Sequence, residues 1–183
     1  AQPRNRMKFE LFSRFDPGHA PCSDAQEFYD VLERMREAAR ASATAWSAHP
    51  TLQQYAGVCF WMMRRMEYGF TAGHFAKLEA ERGKMRVLDA GCGVVPLCNW
   101  MSRREHDVTA LEPLPDEFRF LTTSPLNEFY GSQVSYVNGR CEQLPFADSS
   151  FDVVTCVSVL ERIVPGNDRW AFHEMARVLK PGG

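Results

Sequence analysis

Apolar and polar positions follow different patterns in the two parts of the chain. Residues 1–83 carry apolar side chains at helical spacing and contain no strand-like run, whereas from Lys84 onward short apolar runs alternate with helical segments. Strands that alternate with helices are typical of a parallel sheet covered by helices. The pattern therefore predicts a helical N-terminal cap over residues 1–83 and an α/β domain over residues 84–183.

Helix signals divide the first part into three helices. The segment Ser23-Asp24-Ala25-Gln26 fits a capping box, in which side chains satisfy free backbone N–H groups, and predicts a first helix. Thr51, after the breaker Pro50, predicts a second helix. A third helix is predicted from about Thr71 to Gly83, since glycine tolerates the left-handed helix end. Large apolar side chains are concentrated before the third helix: Tyr55, Phe60, Trp61, Met62, Met63, Met66, Tyr68 and Phe70.

The second part contains four predicted strands, at residues 85–90, 107–112, 134–138 and 151–157. Helices are predicted at residues 96–104, after residue 112 with a break near Pro125, and at residues 168–179. The final Lys180-Pro181-Gly182-Gly183 is a turn that normally leads into a further strand. Without one, the fourth strand would be an unprotected edge. We therefore expect that the native protein continues beyond Gly183, or that another segment or a second copy in a homo-oligomer pairs with this strand.

A glycine turn after the first strand carries the strongest chemical signal. Gly91-Cys92-Gly93 lies between a strand and a helix, where glycines let a ligand approach the backbone and the helix offers free N–H groups. Glu112 ends the next strand, where a carboxylate can accept hydrogen bonds from both hydroxyls of a ribose. A dinucleotide site requires a third glycine where this sequence has Pro96, which argues against a nicotinamide oxidoreductase. Asp89 instead suits a ligand that presents an ammonium group.

Several segments resemble the class I S-adenosylmethionine (SAM) dependent methyltransferases, most closely those that act on small molecules. Val87-Leu88-Asp89-Ala90-Gly91-Cys92-Gly93 resembles their first motif, and Glu112 resembles their ribose-binding acid. Residues 144–154 are similar to the loop that leads into their fourth strand, and residues 160–163 and 177–183 are similar to the segments that follow. The resemblance covers about residues 85–183.

This resemblance implies a Rossmann-like, mostly parallel sheet of strand order 3-2-1-4-5-7-6, of which the C-terminal strands are missing here. It implies SAM as cofactor and S-adenosylhomocysteine (SAH) as product, bound across the carboxyl ends of strands 1 and 2. The glycine turn would contact the methionyl part, Glu112 the ribose, the two residues after it the adenine face, and residues 140–142 the adenine edge. Residues 156–158 would lie near the sulfonium. The implied cofactor residues are Asp89, Gly91, Cys92, Gly93, Glu112, Pro113, Leu114, Arg140, Cys141, Glu142, Cys156 and Val157.

Three positions depart from the family pattern. Val95 stands where the family often has a further glycine, and Arg140 stands where an aspartate commonly bonds the adenine amino group. A guanidinium cannot accept that bond, whereas Glu142 or the backbone can. Arg162 replaces a frequent histidine, so one familiar candidate base is missing.

No catalytic residue is assigned, because methyl transfer from a sulfonium depends mainly on alignment and needs a base only for a protonated acceptor. His173 is expected to be a structural residue in mid-helix. Tyr55, Tyr68 and His74 either pack between helices or reach over the site from the cap.

Composition narrows the partners. The formal net charge is −2, and the longest basic clusters are the pairs Arg64-Arg65 and Arg103-Arg104, which we expect on solvated helix faces. We therefore predict neither a nucleic-acid nor a membrane partner. No apolar stretch approaches the ~18 residues of a membrane span, no signal peptide is recognisable, and a cytoplasmic location is expected. The six cysteines form no C-x-x-C pair, which indicates reduced structural thiols and no metal site.

The leading hypothesis is an enzyme that transfers a methyl group from SAM to a small-molecule acceptor, with the N-terminal helices as a lid. The alternative is a catalytically silent SAM-binding or scaffold protein, which Arg140 and Arg162 favour. A nucleic-acid methyltransferase fits less well, because Cys156-Val157-Ser158-Val159 stands where an Asn/Asp-Pro-Pro-aromatic motif is needed, and because there is no basic stripe. The acceptor and the methylated atom (O, N, C or S) stay open.

Overall fold

The computed structural model of the protein describes residues 25–56 and 58–183. It describes the side chains of these residues except at positions 55–63. The two residues that would begin the predicted capping box, Ser23 and Asp24, lie outside the described residues. The elements in chain order are α1 (Gln26–Ala41), α2 (Pro50–Ala56), α3 (Val58–Arg82), β1 (Arg86–Ala90), α4 (Leu97–Arg103), β2 (Asp107–Glu112), α5 (Pro115–Thr123), α6 (Leu126–Tyr130), β3 (Ser135–Asn138), β4 (Val153–Thr155), a 3₁₀ turn (Leu160–Arg162) and α7 (Asp168–Val178).

The strands form one parallel sheet of order β3-β2-β1-β4. Val87 of β1 is opposite Val108 of β2 and Val153 of β4, which fixes the register at the centre. After their first residue, β1 and β2 are buried throughout, as expected for strands covered by helices on both faces. The predicted α/β class and the predicted order of the first four strands are confirmed.

One face of the sheet packs against the helices of the first part. Trp100 of α4 is fully buried, and its ring centroid lies 5.8 Å from that of Phe28 in α1 and 5.7 Å from that of Phe75 in α3. Buried residues of α1, α3, α4, β1 and β2 belong to one apolar cluster. The described N-terminal helices therefore share a core with the sheet.

A polar cluster fastens the end of α3 to the beginning of the sheet. His106, before β2, accepts the backbone N–H of Met85 at Nδ1 (3.0 Å), so its Nε2 carries the proton and donates to Glu79 (3.0 Å). Glu79 also accepts the Nε–H of Arg104 at 2.9 Å, and Arg104 pairs with Glu27 of α1. Arg104 and His106 together hold the pKa of Glu79 below its ordinary value, although burial acts against them. The expectation of a solvated helix face is wrong for Arg104.

The prediction of a third helix beginning at Thr71 is wrong, because α3 runs without a break from Val58 to Arg82. Gly69 lies inside this helix, where it makes room for α1. A Cβ at Gly69 would lie 2.2 Å from Oη of Tyr29. The glycine thus permits close approach of two helices and does not end one.

Strand β4 is shorter than the predicted range 151–157, because its partner strand ends. Only Val153, Val154 and Thr155 pair with β1, which turns away at Gly91. Ser158 then adopts a left-handed backbone conformation, with φ of 55°. The residues after Thr155 consequently form a loop over the carboxyl edge of the sheet.

Candidate functional site

The glycine turn lies at the carboxyl edge of the sheet, between β1 and α4. Gly91 and Gly93 have φ of 78° and 52°, a region that favours glycine. The backbone N–H groups of Gly91 and Cys92 donate to the carbonyl oxygen of Leu111 in β2, at 2.8 and 3.0 Å. These bonds place the turn directly beside the end of β2.

Glu112, the last residue of β2, points its carboxylate at this turn. Oε2 accepts the N–H of Gly93 and Oε1 accepts the N–H of Leu114, each at 3.0 Å. The residue is only 4% exposed, and burial raises its pKa although the two N–H donors act in the opposite direction. A second pair of lone-pair directions stays available on the two oxygens, since a carboxylate has about four acceptor sites.

Asp89 is buried beneath the turn. Its Oδ1 accepts the hydroxyl of Thr155 at 2.7 Å, whereas its Oδ2 is buried without a hydrogen-bond partner among the described residues. Burial raises the pKa of this carboxyl to about 6, and the nearby charge of Glu112 acts in the same direction. A buried carboxylate oxygen without a donor is costly, and a cationic ligand would relieve the cost.

A cavity of about 220 Å³ opens at this edge of the sheet. It brings together nine of the residues expected from the sequence: Gly91, Gly93, Glu112, Pro113, Leu114, Arg140, Cys141, Glu142 and Val157. Asp89, Cys92 and Cys156 are not on its wall. Asp89 is buried beneath the turn, the side chain of Cys92 within the turn is buried, and Cys156 is half-buried just after β4.

Cys141, on the cavity wall, is a neighbour of Cys156. Interaction between the two thiols lowers the pKa of Cys141 and raises that of Cys156, and burial also raises the pKa of Cys156. Both side chains belong to the apolar cluster on the α7 face of the sheet. The guanidinium of Arg140 lies 2.8 Å from the carboxylate of Glu142, so these two residues of the cavity wall form an ion pair.

Helix α3 supplies cavity residues that the sequence did not identify as a site. Arg64 lines the cavity and is only 4% exposed, so its expected place on a solvated face is wrong. Its Nη1 lies 2.8 Å from Glu67, which also accepts the hydroxyl of Ser158 at 2.8 Å. Tyr68, one of the residues considered for a lid, lines the cavity as well. Arg64, Glu67 and Tyr68 lie on one face of α3, because they are spaced three and four residues apart. This spacing is the sequence signal that could have identified them.

The segment after β4 closes the opposite side. A Cβ at Gly91 would lie 2.5 Å from Cγ2 of Val159, so this side chain rests on the glycine turn. Ser158, Arg162 and Ile163 also line the cavity. Two of the other lid or base candidates lie elsewhere: His74 packs edge-to-face against Phe70 at the surface, and His173 is exposed.

A second cavity, of about 690 Å³, lies beside the first between the α1–α2 connection and α5. Thr51 and Glu117 line both cavities. The described residues contain no group of three or more His, Cys, Asp or Glu side chains that could hold a metal ion. Among the described helices, none combines the length and the apolar character of a membrane span.

Comparison with known proteins identifies the family. The family described as "Methyltransferase domain" matches residues 88–183, just over half of the chain. The ubiquinone biosynthesis O-methyltransferase of Maricaulis maris is 34% identical over 100 residues, which are 54% of this chain and 38% of that protein. The sterol 24-C-methyltransferase erg-4 of Neurospora crassa is 27% identical over 183 residues, which cover 95% of this chain and 47% of that protein.

Among solved structures, the PH0226 protein of Pyrococcus horikoshii has the same fold. It aligns with a TM-score of 0.56 and 22% identity, over 69% of this chain and 57% of its own. The chain spans less than half the length of the two curated relatives named above. The matched family and the observed α/β fold with its glycine turn indicate the same class of protein. The chain therefore belongs to the methyltransferase domain family, within the class I SAM-dependent methyltransferases.

Proposed function

We propose that the protein binds SAM at the carboxyl edge of β1 and β2 and transfers its methyl group to a small-molecule acceptor. The observation that carries this proposal is that the Gly91–Gly93 turn and the Glu112 carboxylate lie on the wall of one cavity. Backbone N–H groups and a carboxylate beside a glycine turn are suited to a nucleoside with a charged tail.

The polar groups of the site fit the parts of SAM. Glu112 has acceptor capacity for the ribose hydroxyls beyond its two backbone donors. The buried Oδ2 of Asp89, which has no donor among the described residues, suits the methionyl ammonium. The buried guanidinium of Arg64 suits the methionyl carboxylate, because a guanidinium presents paired donors to such a group.

The adenine side of the proposed site is mainly apolar. Pro113 and Leu114 follow Glu112 along the cavity wall. Cys141, which comes shortly after β3, lines the same cavity. Arg140, which stands where the family commonly has an aspartate, is paired with Glu142. We propose that Glu142 takes the place of that aspartate as acceptor for the adenine amino group.

The bound cofactor supplies a methyl group on a sulfonium, which is already activated for transfer. The contribution of the protein is then to align the acceptor and to exclude water. Val157, Val159 and Ile163 form an apolar wall suited to this purpose. We propose that the helices of residues 1–83 act as a lid, because α3 contributes Arg64 and Tyr68 to the same cavity.

The two relatives are an O-methyltransferase of ubiquinone biosynthesis and a sterol 24-C-methyltransferase. We propose a small-molecule acceptor for this chain also, without choosing the atom. The four free cysteines among the described residues support the proposal of a reducing, cytoplasmic location.

The proposal is tested in two steps. Isothermal titration should show saturable binding of SAH to the protein and none of NADH. Formation of SAH from SAM in the presence of candidate acceptors, followed by mass spectrometry, should then show turnover. Failure to bind SAH would overturn the proposal. Binding of SAH without turnover across a broad acceptor panel would instead favour a catalytically silent SAM-binding protein.

A further inference from the structure

Three arginines line the cavity, and they differ in how their charge is compensated. Arg64 lies 2.8 Å from Glu67, and Arg140 lies 2.8 Å from Glu142. Arg162 makes no side-chain hydrogen bond or ion pair within the part of the chain that the structure describes, and it is exposed at the cavity rim. Arg162 is therefore the cavity guanidinium that has a full set of donors to offer a ligand.

Arg162 is part of the same site as the proposed ribose acid. It belongs to the 3₁₀ turn after β4, three residues beyond Val159, whose side chain rests on Gly91. Its positive charge lowers the pKa of Glu112, in opposition to the larger effect of burial. The guanidinium consequently acts on the interior of the site although its side chain is reached from solvent.

The surroundings of Arg162 combine this charge with apolar surface. Val157, Val159 and Ile163 lie on the same segment, and Tyr68 lies on the helix that faces it. A ligand group next to Arg162 therefore meets an apolar wall on one side and a guanidinium on the other. That combination suits an apolar frame with an anionic substituent.

We propose that Arg162 binds a carboxylate of the methyl acceptor, so that the acceptor is a small apolar molecule with a carboxylate group. The inference rests on the function proposed above and extends it to the class of acceptor. A guanidinium binds a carboxylate through two parallel N–H···O bonds, which add orientation as well as energy. Because Arg162 is exposed, pairing there involves a smaller desolvation cost than pairing in the interior.

The methionyl carboxylate of the cofactor is the competing anion for Arg162. We assign that carboxylate to Arg64, since Arg64 is 4% exposed and lies on α3, the helix whose Glu67 is bonded to Ser158. The two assignments predict different losses. Substitution of Arg162 should weaken binding of the acceptor, and substitution of Arg64 should weaken binding of SAH.

The test uses matched pairs of a carboxylate and its primary amide, with the protein saturated with SAH. The probes are benzoate, 4-hydroxybenzoate, cinnamate and octanoate, each beside its amide, and binding is measured by calorimetry or ligand-observed NMR. We expect at least one carboxylate to bind roughly 10- to 100-fold more tightly than its amide, as expected for charge-assisted hydrogen bonds. Arg162→Gln should abolish this difference, and Arg162→Lys should retain part of it.

Arg169→Gln is the control, because Arg169 is also exposed and lies outside the cavity, and its substitution removes the same charge. It should leave the carboxylate preference unchanged. The proposal is overturned if no carboxylate in the panel is preferred over its amide, or if the preference survives in Arg162→Gln. It is also overturned if Arg162→Gln weakens binding of SAH as strongly as it weakens binding of the carboxylate. Absence of SAH binding in the unsubstituted protein would overturn the proposed function instead. Measuring SAH binding first therefore distinguishes the two failures.

Discussion

At the scale of single residues, two buried carboxyl groups at the same sheet edge are stabilised in different ways. Glu112 receives two backbone N–H donors, whereas Asp89 receives one hydroxyl and has a second oxygen without a donor among the described residues. Burial raises the pKa of both groups. Glu112 is thus held in place before any ligand arrives, and Asp89 carries an unmet demand for positive charge.

For the proposed ribose acid, we predict that Glu112→Ala weakens SAH binding by ~2–4 kcal/mol, because two hydrogen bonds to a charged acceptor are lost. Isothermal titration measures the change. Glu128→Ala is the control, since Glu128 is exposed on α6 and lies away from the cavity. Equal SAH affinity in Glu112→Ala and the unsubstituted protein would show that Glu112 does not bind the ribose.

Asp89 predicts a specific pH dependence of stability. Its pKa in the folded protein, about 6, is above the ordinary value of 3.8, so between these values the folded state holds a proton that the unfolded chain has released. The free energy of unfolding therefore falls as the pH rises through this window, by about 3 kcal/mol for a shift of this size.

Asp89→Asn should remove this contribution, because the amide does not ionise. Urea unfolding of the two proteins at pH 4.5 and pH 7 gives the difference at each pH. We expect the stability of Asp89→Asn relative to the unsubstituted protein to rise by roughly 2 kcal/mol between the two conditions. A difference that is the same at both pH values would mean that Asp89 ionises normally in the folded protein.

At the scale of elements, the junction between β1 and α4 depends on a glycine for two separate reasons. Gly91 has a left-handed φ of 78°, and a Cβ there would also meet Val159 at 2.5 Å. Gly131, which ends α6, has a similar φ of 67° but nothing within 4 Å of the corresponding position. The two glycines therefore separate backbone strain from steric conflict.

We predict that Gly131→Ala destabilises the protein by about 1 kcal/mol, from backbone strain alone. Gly91→Ala should cost a further ~1–3 kcal/mol, because the loop after β4 must move away from the turn. Thermal or urea unfolding measures both values. In a Val159→Ala background the extra cost at Gly91 should decrease. An equal cost at the two glycines would contradict the packing of Val159 on the turn.

The sequence predicts the elements of the second part better than those of the first. Strand β2 was predicted at its observed limits, because an apolar run between Asp107 and Pro113 has clear boundaries. The length of α3 does not follow from the sequence, because the place of Gly69 inside the helix depends on Tyr29 of another helix. The place of Arg64 was missed for the same reason: burial of a charged residue on a helix is decided by what packs against it.

At the scale of the whole molecule, the N-terminal helices and the sheet share both a core and a cavity. Trp100 connects α1, α3 and α4, and the cluster around Glu79 connects α1, α3 and the loop before β2. The same α3 carries Arg64 to the cavity. Helix α3 is thus fixed to the sheet near its C-terminal end and lines the cavity nearer its N-terminal end. Its position over the site is therefore coupled to the integrity of the core.

This coupling predicts that the helices of residues 26–82 and the sheet unfold together. Trp100→Ala should lower the free energy of unfolding by ~3–5 kcal/mol, since a fully buried indole is removed. Phe28→Ala, on α1, should lower by equal amounts the opening free energies of amides in α1 and in β1, measured by native-state hydrogen exchange. Phe172→Ala is the control: Phe172 is exposed on α7, and its removal should change stability by no more than about 0.5 kcal/mol. If Phe28→Ala instead increased exchange in α1 while leaving β1 protected, the helices would be an independently unfolding cap. Trp100 would then be a contact surface between two units and not part of a single core.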